Sequence, residues 1–285
     1  MEVNTKKNIP APAGRECGMM AVAGGQSIGK TYLTMHLIAD YIKDKPEIRV
    51  RGRKCLIFDT NGEFVESQFE RNGIKNFKVK TLAVKDIEAW GLSPVVECRR
   101  IDAKMLTIKD KKAIVEYIVR VYRMGMLVLE DLNNYILSVT HMENIVSGLI
   151  NLRHRAVDVI VSYQSLRAIE PRIFANSRWF RLHFQADDTD SVEKKLTNPT
   201  SFKLAQLMIN KRYNDGDIRF YITLLNMGTR IEGTFTKEEF IDACRVFLNS
   251  KRRIVKDTMS ANDCGMDEAI EIKANEYYNQ YVAEK

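Results

Sequence analysis

The sequence predicts an α/β fold: a mainly parallel sheet with helices on both faces. Three observations carry this. Near-continuous apolar runs of strand length recur, as expected of strands covered on both sides. They alternate with longer stretches of helical spacing. The first apolar run leads directly into a glycine-rich turn that opens a helix.

The elements follow in order. Met19 to Ala23 is the first strand. Thr31 to Lys43 is a helix, with Leu33, Leu37, Ile38, Tyr41 and Ile42 at helical intervals. Cys55 to Phe58 is the next strand and ends at Asp59. Short strands are expected over Phe77 to Leu82 and Val95 to Cys98. Lys109 to Arg123 is an amphipathic helix that gathers Ile114, Ile118, Val121 and Tyr122 on one face. Met126 to Leu129 is an apolar strand ending in Glu130 and Asp131. A helix over Met142 to Arg155, strands over Val157 to Ser162 and Trp179 to Phe184, a helix over Ser201 to Lys211 and a strand over Arg219 to Leu225 complete the pattern. From Lys251 the chain turns basic and then polar through Asp263. Met266, Ile270, Ala274, Tyr277 and Tyr281 then mark one more amphipathic helix. The expected organisation is a flexible tail over 1–15, a core over 16–250, and a basic linker with a helical appendage over 251–285.

Composition narrows the function classes. With 45% hydrophobic and 28% charged residues in 285, the chain is long and apolar enough to bury a core without staples. The net charge of +7 permits a polyanionic partner without requiring one. No apolar run reaches the length of a membrane span, and the first fifteen residues lack the apolar core of a secretory signal. The five cysteines are odd in number and form no Cys-x-x-Cys, which reads as reduced thiols in a cytoplasmic setting.

The chemistry concentrates in three places. Gly24-Gly25-Gln26-Ser27-Ile28-Gly29-Lys30-Thr31 matches G-x-x-x-x-G-K-[ST], between a strand and a helix as that motif requires. Such a loop turns successive N–H groups onto a polyphosphate, helped by the helix dipole. Lys30 then reaches the β- and γ-phosphates and the Thr31 hydroxyl binds Mg²⁺; Tyr32 is counted with the nucleotide-binding residues. The second place is Glu130-Asp131, at the end of a buried strand. One acid belongs to the Mg²⁺ shell and the next polarises the attacking water. By position Glu130 takes the metal and Asp131 the water. The alternative is that Asp131 holds the metal shell and another acid is the base. The third is Gln164, where the next strand runs out at the ligand edge of a parallel sheet. It suits a neutral sensor of the γ-phosphate; the plainer reading is a turn residue before a helix capped by Ser165.

With these residues assembled, the chain resembles the additional-strand, RecA-like P-loop ATPases of the HerA/FtsK superfamily, over about residues 17 to 250. Besides the loop and the acids, Asp59-Thr-Asn-Gly-Glu-Phe64 is similar to that family's Asp-x-x-Gly-Glu-aromatic signature. Arg153-His154-Arg155 precedes the strand that leads to Gln164, and Ile169 to Ser177 resembles the segment after the family's glutamine. The acid pair departs from the usual Asp-Glu order, and no membrane span or N-terminal barrel accompanies it. The small format is most like viral genome-packaging ATPases. The resemblance implies ATP and Mg²⁺ as ligands, hydrolysis coupled to movement of double-stranded DNA, and a pentameric or hexameric homo-oligomeric ring at a capsid portal or vertex in the infected cell's cytoplasm. It also implies an arginine supplied by the neighbouring subunit, with Arg153 and Arg155 as first candidates and Arg172 and Arg178 behind them. A plasmid or conjugation DNA pump and an assembly or export ATPase that does not grip DNA are the alternatives. Basic clusters at 51–54, 99–100, 109–112 and 251–253 are candidate DNA contacts, though each alone reads more simply as solvated surface. Tyr277, Tyr278 and Tyr281 have the spacing of a packing face.

Overall fold

The computed structural model describes residues 17–48, 50–135 and 139–282, with side chains of 139–142 left aside. The expected tail over 1–15 lies outside the described residues. In chain order the elements are β1 (Met19–Ala23), α1 (Lys30–Ile42), β2 (Cys55–Asp59), α2 (Glu66–Arg71), β3 (Val79–Thr81), α3 (Ile87–Leu92), β4 (Cys98–Asp102), α4 (Ile108–Val121), β5 (Gly125–Leu129), α5 (Val139–Asn151), β6 (Val157–Tyr163), α6 (Pro171–Asn176), β7 (Trp179–His183), α7 (Pro199–Asn214), β8 (Tyr221–Leu225), β9 (Arg230–Glu232), α8 (Lys237–Ser250), α9 (Arg252–Asn262) and α10 (Met266–Tyr281).

Among the described residues the strands form one sheet in the order β3-β4-β2-β5-β6-β1-β7-β8-β9. Every pairing from β3 to β7 is parallel. β8 and β9 extend the sheet antiparallel. Side-chain alternation divides the core in two. Cys55, Ile57, Met126, Val128 and Ile160 face α1 and α2, together with Met35, Ile38 and Phe69. Leu56, Phe58, Leu127, Leu129, Val159 and Val161 face the larger layer, which extends to α7, α8 and α10.

β6 lies between β1 and β5. This strand separates the phosphate-loop strand from the acidic strand, as the additional-strand resemblance implies. It also places Gln164 between the two motifs at the carboxyl edge.

The fourth strand is shifted from its expected place. Val95 and Val96 are 51% and 45% exposed, and the strand is Cys98–Asp102, paired with β2 from Cys55↔Cys98 to Asp59↔Asp102. Two adjacent arginines look unfit for a strand, but both are neutralised. Arg100 pairs with Asp59 at 2.9 Å and Asp102 at 3.1 Å. Arg99 pairs with Glu97 at 2.5 Å and stands over the Trp90 ring. This cluster is structural, and so is much of 51–54. Lys54 is buried, and its Nζ donates to the carbonyls of Trp90 (3.1 Å), Gly91 (2.5 Å) and Ser93 (2.8 Å) at the end of α3. Burial lowers its pKa to about 8. Arg53 is held by Asp158 and the Ala156 carbonyl.

The stretch read as a basic linker is the helix α9. Its Val255 joins the same core as Ala269, Ile270, Ala274, Tyr277 and Tyr281 of α10. Tyr277 meets Phe247, and Tyr278 meets Phe240 edge-on. These rings are packing groups. α8, not anticipated, begins with a capping box in which Thr236 accepts from the Glu239 N–H and Glu239 accepts from the Thr236 N–H. Truncation after Ser250 would strip Tyr278 from Phe240 and Tyr277 from Phe247 and so uncover part of both rings. At roughly 2 kcal/mol per large apolar side chain uncovered, the shortened chain is expected to aggregate or melt well below the full chain. An unchanged melting temperature would show that α9 and α10 add nothing to the core.

Candidate nucleotide site

The loop between β1 and α1 is held from both neighbouring strands. Gly24 N–H donates to the Tyr163 carbonyl at 3.2 Å and Gly25 N–H to the Phe184 carbonyl at 2.8 Å. Gly24 has no room for a side chain: a Cβ there would stand 2.5 Å from Ile28 Cδ1 and 2.6 Å from His183 Cβ. Gly29, at φ 91°, turns the chain into α1 in the left-handed region that favours glycine. Ser27 shares that region at φ 58°, which completes a concave turn.

Lys30 Nζ folds back onto the carbonyls of Gly24 (2.5 Å) and Gly25 (2.6 Å). Burial lowers its pKa, opposed by the charges of Asp131, Glu130 and Glu63. Beneath it, the buried Arg181 of β7 donates to the Lys30 carbonyl at 3.2 Å and to Thr34 Oγ1 at 2.6 Å.

Glu130 is only 5% exposed and its Oε2 has no hydrogen-bond partner among the described residues. Desolvation, then the charges of Asp59, Glu63 and Asp131, raise its pKa to about 8. Asp131 follows in a left-handed conformation, φ 42° and ψ 53°. Its N–H donates to Ser162 Oγ at 2.9 Å on β6, and its carboxylate accepts from Asn61 at 3.4 Å.

The segment after β2 completes the pocket. The fully buried Asp59 accepts from the N–H groups of Gly62 (2.7 Å), Glu63 (3.1 Å) and Phe64 (3.1 Å) and from Arg100. This bracket presents Glu63 toward the phosphate loop. One cavity of about 520 Å³ is lined by Gly25, Gln26, Ser27, Ile28, Gly29, Lys30, Thr31 and Tyr32 together with Glu130, Asp131 and Gln164, and also by Asn61, Glu63 and Arg219. A larger cavity of about 810 Å³ lies at the other edge of the sheet, by Gly18, Met20 and Trp179. Its Asp158 already holds Gly18 N–H, Tyr41 and Arg53, and it has no phosphate loop.

The candidates at the strand ends therefore converge, but none of the four arginine candidates lines this cavity: Arg172 reaches Ser147 and Arg178 lines the larger cavity. Arg153 and Arg155 precede β6, at the opposite edge from the cavity. Arg155 donates to the carbonyls of Val119 (3.0 Å) and Arg120 at the end of α4, which is a helix-capping role. Arg153 is exposed. Ser165 does not cap α6; Glu170 does, accepting from the N–H groups of Arg172 and Ile173. Glu63 and Arg219 were not singled out from the sequence. Glu63 carried a signal in the Asp-x-x-Gly-Glu spacing. Arg219 carried none, because only the antiparallel return of β8 brings it to the loop.

The raised Glu130 pKa has a consequence for stability. The folded chain keeps that proton up to about pH 8, while the unfolded chain releases it near 4.5, the ordinary value for a glutamate. The folded state binds more protons across that window, so stability falls as pH rises through it. Glu130→Gln removes the buried charge. It is expected to be more stable than the parent at pH 8.5, by on the order of 2 kcal/mol, and to match it near pH 4, below the unfolded pKa. A variant that melts lower at pH 8.5 would contradict the burial argument.

Comparison with known proteins agrees with this geometry. Residues 4–76 match the model of the type IV secretion-system coupling protein DNA-binding domain. A search of curated proteins finds no match. Among solved structures, the DNA-packaging ATPase of Sulfolobus Turreted Icosahedral Virus superposes with a TM-score of 0.50 at 11% identity, covering 76% of this chain and 97% of that one. The genome packaging NTPase of Sulfolobus turreted icosahedral virus 2, in complex with AMP, gives 0.49 at 13% identity, over 77% and 98%. The N-terminal domain of zonular occludens toxin from Neisseria meningitidis gives 0.34 at 13%, over 60% and 79%. The chain shares its fold, a mostly parallel nine-stranded sheet with helices, with that DNA-packaging ATPase.

Proposed function

We propose that the chain is an ATPase that drives double-stranded DNA, packaging a viral genome. The observation that carries this is the convergence of the phosphate loop, Glu130, Asp131, Glu63 and Gln164 on one cavity. On nucleotide arrival Lys30 exchanges the carbonyls of Gly24 and Gly25 for the β- and γ-phosphate oxygens. The loop N–H groups and the α1 dipole hold the same charge.

The residues present fit Mg²⁺. The Thr31 hydroxyl and the unpartnered Glu130 Oε2 would hold it, and it would neutralise charge on the phosphates. Mg²⁺ in such sites is commonly held by one or two protein oxygens plus phosphates and water. The unpartnered Oε2 favours Glu130 for the metal and leaves Asp131, partly exposed and held by Asn61, for orienting the water. Gln164, neutral and at the same edge, reads the γ-phosphate.

The match to a coupling-protein DNA-binding domain supports DNA as the moved polymer. The same match favours one second reading, a plasmid or conjugation pump. Among the described residues no helix is long and apolar enough to cross a membrane. A homo-oligomeric ring at a capsid portal, working in the infected cell's cytoplasm, completes the proposal.

Lys30→Ala is expected to lower hydrolysis by at least about 10²–10³ while the fold, read by circular dichroism, persists. Wild-type turnover in that variant would refute the site. Hydrolysis is also expected to rise with double-stranded DNA, whose affinity should fall linearly on a log–log plot against salt. Turnover indifferent to DNA at low salt would point to the assembly or export ATPase instead.

The trans arginine is tested by mixing. Because Arg155 caps α4, exposed Arg153 is the better candidate. Arg153→Ala and Lys30→Ala, each inactive alone, should recover activity together. An active Arg153→Ala protein would exclude it.

A further inference from the structure

The phosphate loop has two unlike sides. Glu63, Glu130 and Asp131 crowd one side, with charges that reach Lys30. The turn leading into β8 closes the other side. Arg219 lies against the loop there: a Cβ on Gly29 would sit 3.4 Å from Arg219 Cγ and 3.6 Å from its Cβ. Its guanidinium stands 5.3 Å from the centroid of the Tyr32 ring. Tyr32 in turn leans on His36, with 4.5 Å between centroids. Arg219 is exposed, and among the described residues no carboxylate pairs with it.

Charge decides how a nucleotide lies across this loop. Its terminal phosphate must meet the water held by the acids. The rest of the phosphate chain is repelled by the same carboxylates and runs past Gly29, Thr31 and Tyr32 to the opposite side, where Arg219 lines the cavity. We propose that Arg219 and Tyr32 form a stacking clamp for the base of the bound nucleotide. A guanidinium is planar and weakly hydrated, and it stacks on π-systems. The Arg219 stem is already packed on Gly29 and its head already stands over a ring, so little freedom remains to be lost on binding. The proposal rests on the nucleotide-binding reading above.

The test separates the two. Affinities of the wild-type protein for Mg-ATP and for Mg-tripolyphosphate, which has no nucleoside, are measured by calorimetric competition. Arg219→Ala and Tyr32→Ala are each expected to weaken ATP about three- to tenfold and to leave tripolyphosphate within about twofold. Arg219→Lys should be as weak for ATP as Arg219→Ala, because it keeps the charge and loses the plane. If the wild type binds neither ligand, the nucleotide reading itself falls. If Arg219→Ala weakens both ligands alike, or Arg219→Lys restores ATP, the arginine is a phosphate contact and the clamp is wrong. Unchanged ATP affinity in Arg219→Ala overturns it as well.

Discussion

The site depends on the parallel pairing of β6 with β1 on one side and β5 on the other. Met19↔Val159 and Gly125↔Val157 fix that register. Because all three strands run the same way, three chemically different chain ends emerge at one edge: the phosphate loop, the acid pair and Gln164. Ser162 makes the arrangement specific, since its hydroxyl accepts the Asp131 N–H and locks the acid's left-handed turn to β6. A register slip by one residue would turn Ser162 toward the other face and release Asp131.

Electrostatics then sets a conflict that the fold tolerates. Lys30 is drawn toward Glu130, Asp131 and Glu63, yet burial works against its charge. Arg181 lies beneath, fully buried, and its pKa is lowered to about 10. His183 beside it is kept neutral by burial and by the Arg181 and Lys30 charges. Buried like charges of this kind oppose folding. They are tolerable because Arg181 is tied to the Lys30 carbonyl and Thr34, which anchors the first turn of α1. The unfavourable terms lie around the place where a polyphosphate and a cation would relieve them, an arrangement typical of sites built for a ligand.

Much of this was legible in the sequence because the relevant signals are local. The phosphate loop, the acids and Gln164 each follow an apolar run, and parallel strands deliver such ends to one edge. The failures are equally physical. Arg99 and Arg100 concealed β4, because the partners that neutralise them, Asp59 and Glu97, count only once strands are paired. The polar surface of α9 concealed a helix that contributes little more than Val255 and Thr258 to the interior. Arg155 looked available until its contact with the end of α4, 35 residues away in sequence, was visible. Arg219 reaches Gly29 only through the antiparallel β7–β8 pairing, and no spacing rule anticipates that.

The same pairing joins the phosphate loop to the C-terminal layer. Gly25 N–H is held by the Phe184 carbonyl, and the Phe184 ring stacks on Tyr213 of α7 at 3.6 Å between centroids and 5° between planes. Lys211 and Arg212 on that helix pair with Asp242 and Glu239 of α8, and Phe247 of α8 meets Tyr277 of α10. Beyond Phe184 the links run between helices, from α7 to α8 and from α8 to α10. A displacement of Gly25 would press on the Phe184 carbonyl and, through it, on a ring packed flat on α7. Close-packed interiors transmit such displacements. The helices after Ser250, which composition alone set apart as an appendage, stand at the far end of that line of contacts.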